Sequence, residues 1–195
     1  KLVGRFETYL VKPELGDEYE ANPLRYFRER GFLARTHHVV YRSGCEYTLN
    51  DDEVERVKQE DDLPAGFLRR LADDKERNLR IVRKLLSLDK GTPTIVYACT
   101  VAHAYFLSVI LTANGRKAAT ISSDTSATLR RALIRDFKVG DVEFLCNYGV
   151  LTTGFDAPKT ACIALCRPTT SEVLYEQIIG RGLRGERFGG TRECT

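Results

Sequence analysis

The chain has 195 residues, 43% of them hydrophobic, with a formal net charge of +3. That length fits one ordinary domain plus an appendage, with enough apolar content for a real core. No run approaches the roughly 18 apolar residues of a membrane span, no signal-peptide pattern is present, and so small a charge does not by itself mark a nucleic-acid binder.

The chain starts at Lys1 rather than Met, as expected of an excised fragment. Its six cysteines form no C-x-x-C pair, and Cys99, Cys146, Cys162 and Cys166 sit in apolar, strand-like runs. Buried reduced thiols in a reducing cytoplasm are therefore expected rather than metal ligands. Charge is unevenly placed. Residues 51 to 62 hold seven acids against Arg56 and Lys58, whereas Arg130, Arg131, Arg135 and Lys138 crowd one predicted helix, and Arg181, Arg184, Arg187 and Arg192 crowd the C-terminus. Such runs read first as solvated faces.

In chain order, Leu2 to Val11 is expected to be extended. Asn22-Pro23 introduces a helix with Leu24, Tyr26, Phe27 and Arg30 that Gly31 ends, and Thr36 to Tyr41 reads as a strand. His37 and His38 lie in that strand-like segment with no other ligand candidates nearby, so a structural role is expected. Asn50 to Asp62 is a surface helix or loop, and Phe67 to Leu88 a helical lead-in packing through Leu71, Leu79, Val82 and Leu86. From about residue 90 short apolar runs alternate with helical patterns. Thr94 to Cys99 is a buried strand, and Thr100 caps a helix through Ala102, Phe106, Val109, Ile110 and Ala113. Lys117 to Ile121 is a strand, followed by a helix bearing Leu129, Leu133 and Phe137 with arginines on its other side. Val142 to Cys146 and Ala161 to Cys166 are further strands without strict alternation, as when helices cover both faces of a sheet. Repeated strand and helix units of this length imply an α/β, doubly wound parallel sheet over residues 76–195, with residues 1–75 as a linker and N-terminal extension. Ligands are expected at the carboxyl ends of its strands.

Two stretches carry the chemistry. Thr152-Thr153-Gly154-Phe155-Asp156-Ala157-Pro158 is a loop after one strand, and Gln177-Ile178-Ile179-Gly180-Arg181-Gly182-Leu183-Arg184 follows another. On a helix started by a capping box at Thr169 to Glu172, residues Gln177, Gly180, Arg181 and Arg184 would fall at i, i+3, i+4 and i+7. An amide, a bare backbone patch and two guanidiniums would then share a face suited to phosphate. Gly180, Gly182 and Gly185 would each cost such a helix about 1 kcal/mol relative to Ala, so a reason beyond local stability is needed.

The two stretches resemble motifs V and VI of superfamily 2 DEAD/DEAH-like helicases and translocases, the second in its QxxGRxxR form. The resemblance covers roughly residues 92 to 195 in the expected order. Gly154-Phe155-Asp156, and the helix, Gly31-Phe32-Leu33-Ala34 and strand that follow it, look most like the restriction-enzyme motor subunits. The resemblance implies the second, RecA-like C-terminal domain of a two-domain motor. ATP and Mg²⁺ would lie between this domain and an N-terminal RecA-like domain that brings the phosphate loop and the Mg²⁺ ligands. This sequence has no G-x-x-x-x-G-K-[ST] and no acidic box beyond a superficial one at Ala72-Asp73-Asp74-Lys75, so it is half of an active site.

By the same resemblance Arg184 is the arginine finger, Arg181 a second γ-phosphate contact and Gln177 a sensor of the nucleotide or its attacking water. Gly180 lies beside the nucleotide. Thr152 and Thr153 hold a nucleic-acid phosphate. Gly154 and Asp156 sit where the loop turns towards the nucleotide, Asp156 accepting from a ribose hydroxyl or restraining an arginine. Thr100 and His103, in the motif IV-like Tyr97 to His103, and Arg130 and Arg131 complete the nucleic-acid set, against plain capping and surface roles. DNA is the expected partner, RNA the second choice, and no metal site of the chain's own is expected. A non-catalytic RecA-like nucleic-acid-binding module is the competing class. An unrelated doubly wound nucleotide enzyme would need a glycine loop after its first strand, and the sequence has none.

Overall fold

The structure, a computed structural model, describes residues 15–42, 44, 46–60, 62–151, 157 and 159–195. The expected strand at Leu2 to Val11 lies outside them. Helices α1 (Asp17–Ala21) and α2 (Pro23–Glu29) come first. The Asn22 side chain accepts from the Arg25 amide at 3.0 Å and Pro23 opens α2, its missing N–H being one that a first turn leaves unbonded anyway. Gly31, at φ 70, turns the chain into β1 (Arg35–Thr36). This is a two-residue strand, not the six-residue one expected over Thr36 to Tyr41. Residues 37–42 belong to no strand, and Val40 is 90% exposed.

Helix α3 (Asp51–Glu60) begins with a reciprocal cap: the Glu53 amide donates to Asn50 Oδ1 at 2.8 Å and the Asn50 amide donates to Glu53 Oε2 at 3.1 Å. The single lead-in helix expected over Phe67 to Leu88 is two, α4 (Ala65–Asp73) and α5 (Lys75–Leu86). Asp74 divides them, its carboxylate accepting from the Arg77 amide at 2.8 Å. The break resets the helical phase. Leu71 and Val82 are buried as expected and Leu86 packs on the core, but Leu79 is exposed and Leu85 is buried instead.

The body of the fold is β2 (Thr94–Tyr97), α6 (Val101–Ala113), β3 (Ala118–Ile121), α7 (Ala127–Val139), β4 (Phe144–Asn147), β5 (Cys162–Leu165) and α8 (Glu172–Ile179). A 3-10 turn (Glu186–Phe188) and β6 (Glu193–Cys194) follow. The four longer strands form a parallel sheet in the order β3-β4-β2-β5. Successive side chains of a strand point to opposite faces, and here both faces are covered. Val96 and Cys146 pack with Val82, Leu85, Ala104, Leu107 and Leu111 on one side. Ile95, Tyr97 and Leu145 pack with Phe137 and Ile178 on the other. A strand buried on two faces has no polar side to alternate with, which is why these runs read as continuous.

Apolar pattern misplaces the inner side of α6. The residues it buries are His103, Ala104, Leu107, Ser108 and Leu111, while Phe106 and Val109 of the expected stripe are exposed. Nearly every position of this helix is apolar, so hydrophobic spacing cannot choose among its faces. In α7, Phe137 is buried, Leu133 half-buried and Leu129 exposed, and Gly140 closes the helix in the left-handed region at φ 88.

The two ends of the described chain meet. β1 pairs in parallel with β6, matching Arg35 to Glu193 and Thr36 to Cys194. The Ile163 amide donates to the Thr195 carbonyl at 2.7 Å, tying this small ladder to β5. Aromatic rings bind the first helices to the C-terminal turn: Phe27 meets Phe32 edge-on at 6.0 Å and Phe32 meets Phe188 at 5.7 Å.

Candidate nucleotide and nucleic-acid site

Because the sheet is parallel, the loops after β2, β3, β4 and β5 share its carboxyl edge. After β2, the Thr100 hydroxyl accepts from the His103 amide at 3.0 Å, so its side chain is the N-cap of α6. His103 does not reach the surface expected of a nucleic-acid contact. It is 2% exposed, and its Nδ1 accepts from the Cys99 amide at 3.2 Å. Burial, with the Arg77 guanidinium adding repulsion, holds its pKa down at about 4. A depressed histidine pKa means that the unfolded chain, at about 6.5, binds the proton more readily than the folded one. Stability should therefore fall as pH drops from about 6.5 to 4, by the order of 2 to 3 kcal/mol. Urea titrations across that range should show a shallower slope for His103→Gln; an unchanged slope would remove His103 as the cause.

After β3, Arg130 is half-buried and donates to the Ser122 carbonyl at 2.9 Å, closing the loop, while Arg131 is exposed, its Nε donating to the Ala127 carbonyl at 3.3 Å. After β4, the candidates Thr152, Thr153, Gly154 and Asp156 lie outside the described residues. Leu151 and Ala157 on either side of them are buried in one cluster with Tyr97, whose hydroxyl donates to the Leu151 carbonyl at 3.1 Å. Burial raises the Tyr97 pKa above its ordinary value, and the Arg181 charge opposes that rise.

After β5 the sequence reading needs two corrections. The N-cap of α8 is Ser171, whose hydroxyl accepts from the Leu174 amide at 3.5 Å, not Thr169. Thr169 instead donates to Asp62 at 2.8 Å and accepts from the Ser171 amide at 3.1 Å. Further on, the helix stops at Ile179, with Gly180 as its C-cap. Gln177, half-buried, is therefore the one member of the expected quartet within the helix. Arg181 is half-buried in the turn beyond it, and Arg184 is exposed in an isolated antiparallel bridge with Leu33.

The glycines give the reason. A Cβ on Gly182 would overlap Cys194 Sγ, and one on Gly185 would overlap the Gly31 backbone. Only bare backbone lets the segment after α8 pass between residues 31–34 and 190–194. The Ala34 amide donates to the Leu183 carbonyl at 2.9 Å, the Gly185 amide to the Phe32 carbonyl at 3.0 Å, and the Thr191 amide to the Arg184 carbonyl at 3.1 Å. The cost of three glycines to a helix is not incurred beyond Ile179, because the chain there is not helical.

Arg167 to Ser171 reads as functional from its place at a strand end, and the structure adds the partner that spacing does not show. Arg167, directly after β5 and 8% exposed, donates to Asp62 at 2.5 Å and lies over the Tyr148 ring at 5.5 Å. An Arg-Pro-Thr directly after an apolar strand was the available signal. Asp62 was hidden in an acidic run read as solvated, though Glu53 of that run is likewise committed, accepting from Arg70 at 2.6 Å. The five described cysteines are buried and unpaired, and burial raises the thiol pKa of each. A groove of about 810 Å³ runs along β5 between residues 36–42 and α5, but none of the candidate site residues lines it.

Residues 77–186 match the family described as helicase conserved C-terminal domain. The chain belongs to that family. Among relatives of this helicase C-terminal domain, the Saccharomyces cerevisiae protein named "Putative ATP-dependent helicase IRC3" is 37% identical over 127 residues, covering 64% of this chain and 18% of that protein. The UvrABC system protein B of Thermus thermophilus is 28% identical over 174 residues, 85% of this chain and 26% of that one. The chain thus spans about a fifth to a quarter of the length of these relatives. Of solved structures, a fragment of a "putative HsdR subunit of a type I restriction enzyme" from Vibrio vulnificus YJ016 matches with a TM-score of 0.58 at 22% identity, covering 96% of this chain and 38% of that one. A DEAD box protein from Methanococcus jannaschii matches with a TM-score of 0.53 at 24% identity, over 62% and 32%. At these identities the likeness is one of fold: the RecA-like parallel sheet of helicase domains.

Proposed function

We propose that the chain is the second motor domain of an ATP-dependent DNA helicase or translocase of the cytoplasm. In this reading residues 1–75 link it to the first motor domain and residues 76–195 form the RecA-like unit. Arg184 is the arginine finger, Arg181 a second phosphate contact and Gln177 a sensor. ATP and Mg²⁺ would be held chiefly by the partner domain. The observation that carries the reading is the clamped turn after α8. Backbone hydrogen bonds with Phe32, Ala34 and Thr191 fix the main chain around an exposed Arg184, while the Arg181 charge acts on Tyr97, whose hydroxyl donates to the Leu151 carbonyl after β4. A phosphoryl-transfer site gains most from a guanidinium whose position is settled before charge develops. DNA is preferred to RNA on the Gly154-Phe155-Asp156 pattern. Thr100, Arg130, Arg131, Thr152 and Thr153 are the proposed backbone contacts, with Gly154, Asp156 and Gly180 towards the nucleotide.

Two outcomes test this on the isolated chain. It should show no steady ATP turnover, because a finger without the phosphate loop and the Mg²⁺ ligands has no bound substrate to act on. Turnover by the purified chain that Arg184→Ala abolishes would contradict this. It should also bind DNA weakly and without sequence preference, with Kd on the order of 10⁻⁴ to 10⁻⁶ M near physiological salt. Fluorescence anisotropy should show affinity falling as salt rises and falling further with Arg131→Gln. Salt-independent binding would oppose a phosphate-backbone contact.

A further inference from the structure

A second basic concavity lies beside the turn that carries Arg184 and shares Leu33 and Thr191 with it, but is lined by other arginines. It has a volume of about 350 Å³ and is lined by Arg28, Arg30, Arg35, Arg187 and Arg192, together with Glu29 and Glu186. Two separate stretches of chain build it: residues 28–35, from the end of α2 into β1, and residues 186–192, from the 3-10 turn towards β6.

The arginines are held in place by different means. The Arg35 amide donates to the Arg192 carbonyl at 2.9 Å, so the β1–β6 ladder brings these two residues together. The Arg187 amide donates to the Gly31 carbonyl at 3.0 Å, and its guanidinium lies 4.9 Å from the centre of the Phe32 ring. The Phe27, Phe32 and Phe188 rings fasten α2 to the opposite wall.

Five arginines line the hollow against two glutamates, Glu29 and Glu186, so positive charge is in excess. Glu29 is engaged by Arg25 at 2.7 Å, and Arg30 by Glu18 at 2.8 Å. Among the described residues Arg28, Arg35, Arg187 and Arg192 make no ion pair, and Arg28 Nε is buried with no hydrogen-bond acceptor. Guanidiniums crowded around one hollow repel each other, and a buried donor left without an acceptor is costly. Both costs are relieved by an oxyanion in the hollow. Several planar donor forks on different walls suit an anion with oxygens on all sides, which describes a phosphate better than a carboxylate.

We propose that the hollow between the end of α2 and the C-terminal turn binds a phosphate group through Arg28, Arg35, Arg187 and Arg192. The phosphate belongs to a nucleic-acid strand or to a free nucleotide. The site does not depend on Arg184 being an arginine finger.

Inorganic pyrophosphate is the first probe, titrated calorimetrically into the 195-residue chain. Wild type should give a saturable isotherm. Arg28→Gln with Arg35→Gln, and Arg187→Gln with Arg192→Gln, should each weaken it about tenfold and lower the slope of log affinity against log salt by about one to two. Arg69→Gln, exposed on α4 and outside the hollow, should leave it unchanged. An abasic oligodeoxynucleotide that displaces pyrophosphate identifies strand phosphates as the source, and displacement by ADP at lower concentration identifies nucleotide. Independently of any variant's folding, pyrophosphate should protect Arg28, Arg35, Arg187 and Arg192 of the wild type from phenylglyoxal, read by mass spectrometry, and should not protect Arg69. Absence of a saturable isotherm, wild-type binding by both double variants, or equal protection at Arg69 would overturn the proposal. Loss of ATPase function on changing Arg184 would not bear on it.

Discussion

In a two-domain motor containing this chain, Arg184→Ala should lower kcat by about 10³ or more while DNA affinity stays nearly unchanged. The effect is differential. The ground-state nucleotide would be held mostly by the other domain, whereas the guanidinium would meet charge that grows on the γ-phosphoryl oxygens only as the transition state is approached. The fold supports such a role because the arginine does not depend on a helix end that frays. Its backbone is bridged to Leu33 on one side and accepts from Thr191 on the other, while the side chain remains exposed. Arg184→Lys should restore little, since an ammonium keeps the charge but loses the planar fork. Gln177→Ala should be milder, as it removes a neutral group. Single-turnover hydrolysis at saturating DNA separates the three variants. Wild-type turnover by Arg184→Ala would disprove the finger assignment and make Arg181 the next candidate.

The largest stability loss is expected at the opposite, amino-terminal end of the sheet, where Arg116 and Glu143 form an ion pair with side chains 5% and 6% exposed. Arg116 donates to both Glu143 carboxylate oxygens, Nε to Oε2 at 2.9 Å and Nη2 to Oε1, and its Nη1 and Nη2 groups also reach the carbonyls of Leu86, Leu88 and Asp89. The Gly91 amide donates to Glu143 at 2.7 Å. Burial pushes the Glu143 pKa up, but the Arg116 guanidinium and the Gly91 amide outweigh it and hold the carboxyl below its ordinary range. Glu143→Ala would leave a buried guanidinium without its counter-charge, at a cost of about 3 to 5 kcal/mol. For a domain of this size that is roughly 6 to 20 °C in Tm. Since the folded carboxyl titrates below the unfolded one, the pair's contribution is present above the unfolded glutamate pKa and is lost as pH falls through the folded one. The variant should therefore also lose part of the wild type's acid sensitivity. The exposed pair Lys117–Asp141, at 4.0 Å, is the control, and Lys117→Ala should cost under about 0.5 kcal/mol. A Glu143→Ala protein melting within about 1 °C of wild type, where roughly 6 °C or more is expected, would show that the carbonyls alone satisfy Arg116.

The pair also shows a kind of contact that spacing along the chain does not reveal. Arg116 and Glu143 read as unremarkable charges near two turns, yet they tie the end of α5 to the starts of β3 and β4. Nothing in the spacing of one charged residue from another reveals a partner that only the assembled sheet brings near.

Local chemistry determined much of this protein in advance. Alternating strand and helix units, continuous apolar runs in β2 and β4, and the Asn22 and Thr100 caps follow from hydrogen bonding and side-chain shape within a few residues. So does the motif pair that points to the helicase C-terminal domain family, because its residue types and order are local facts. Three things were decided only by the tertiary structure. The inner face of α6 was set by the sheet it packs on, since the helix is apolar nearly all round. His103 was turned inward by the Cys99 amide and the burial that follows. The end of α8 was set by a backbone crossing, in which residues 31–34 approach Gly185 too closely for any side chain, so a sequence that continues the i, i+3, i+4, i+7 pattern to Arg184 stops being helical at Ile179. Periodicity reports what a segment could do alone, and close packing against distant chain decides which of those possibilities is left.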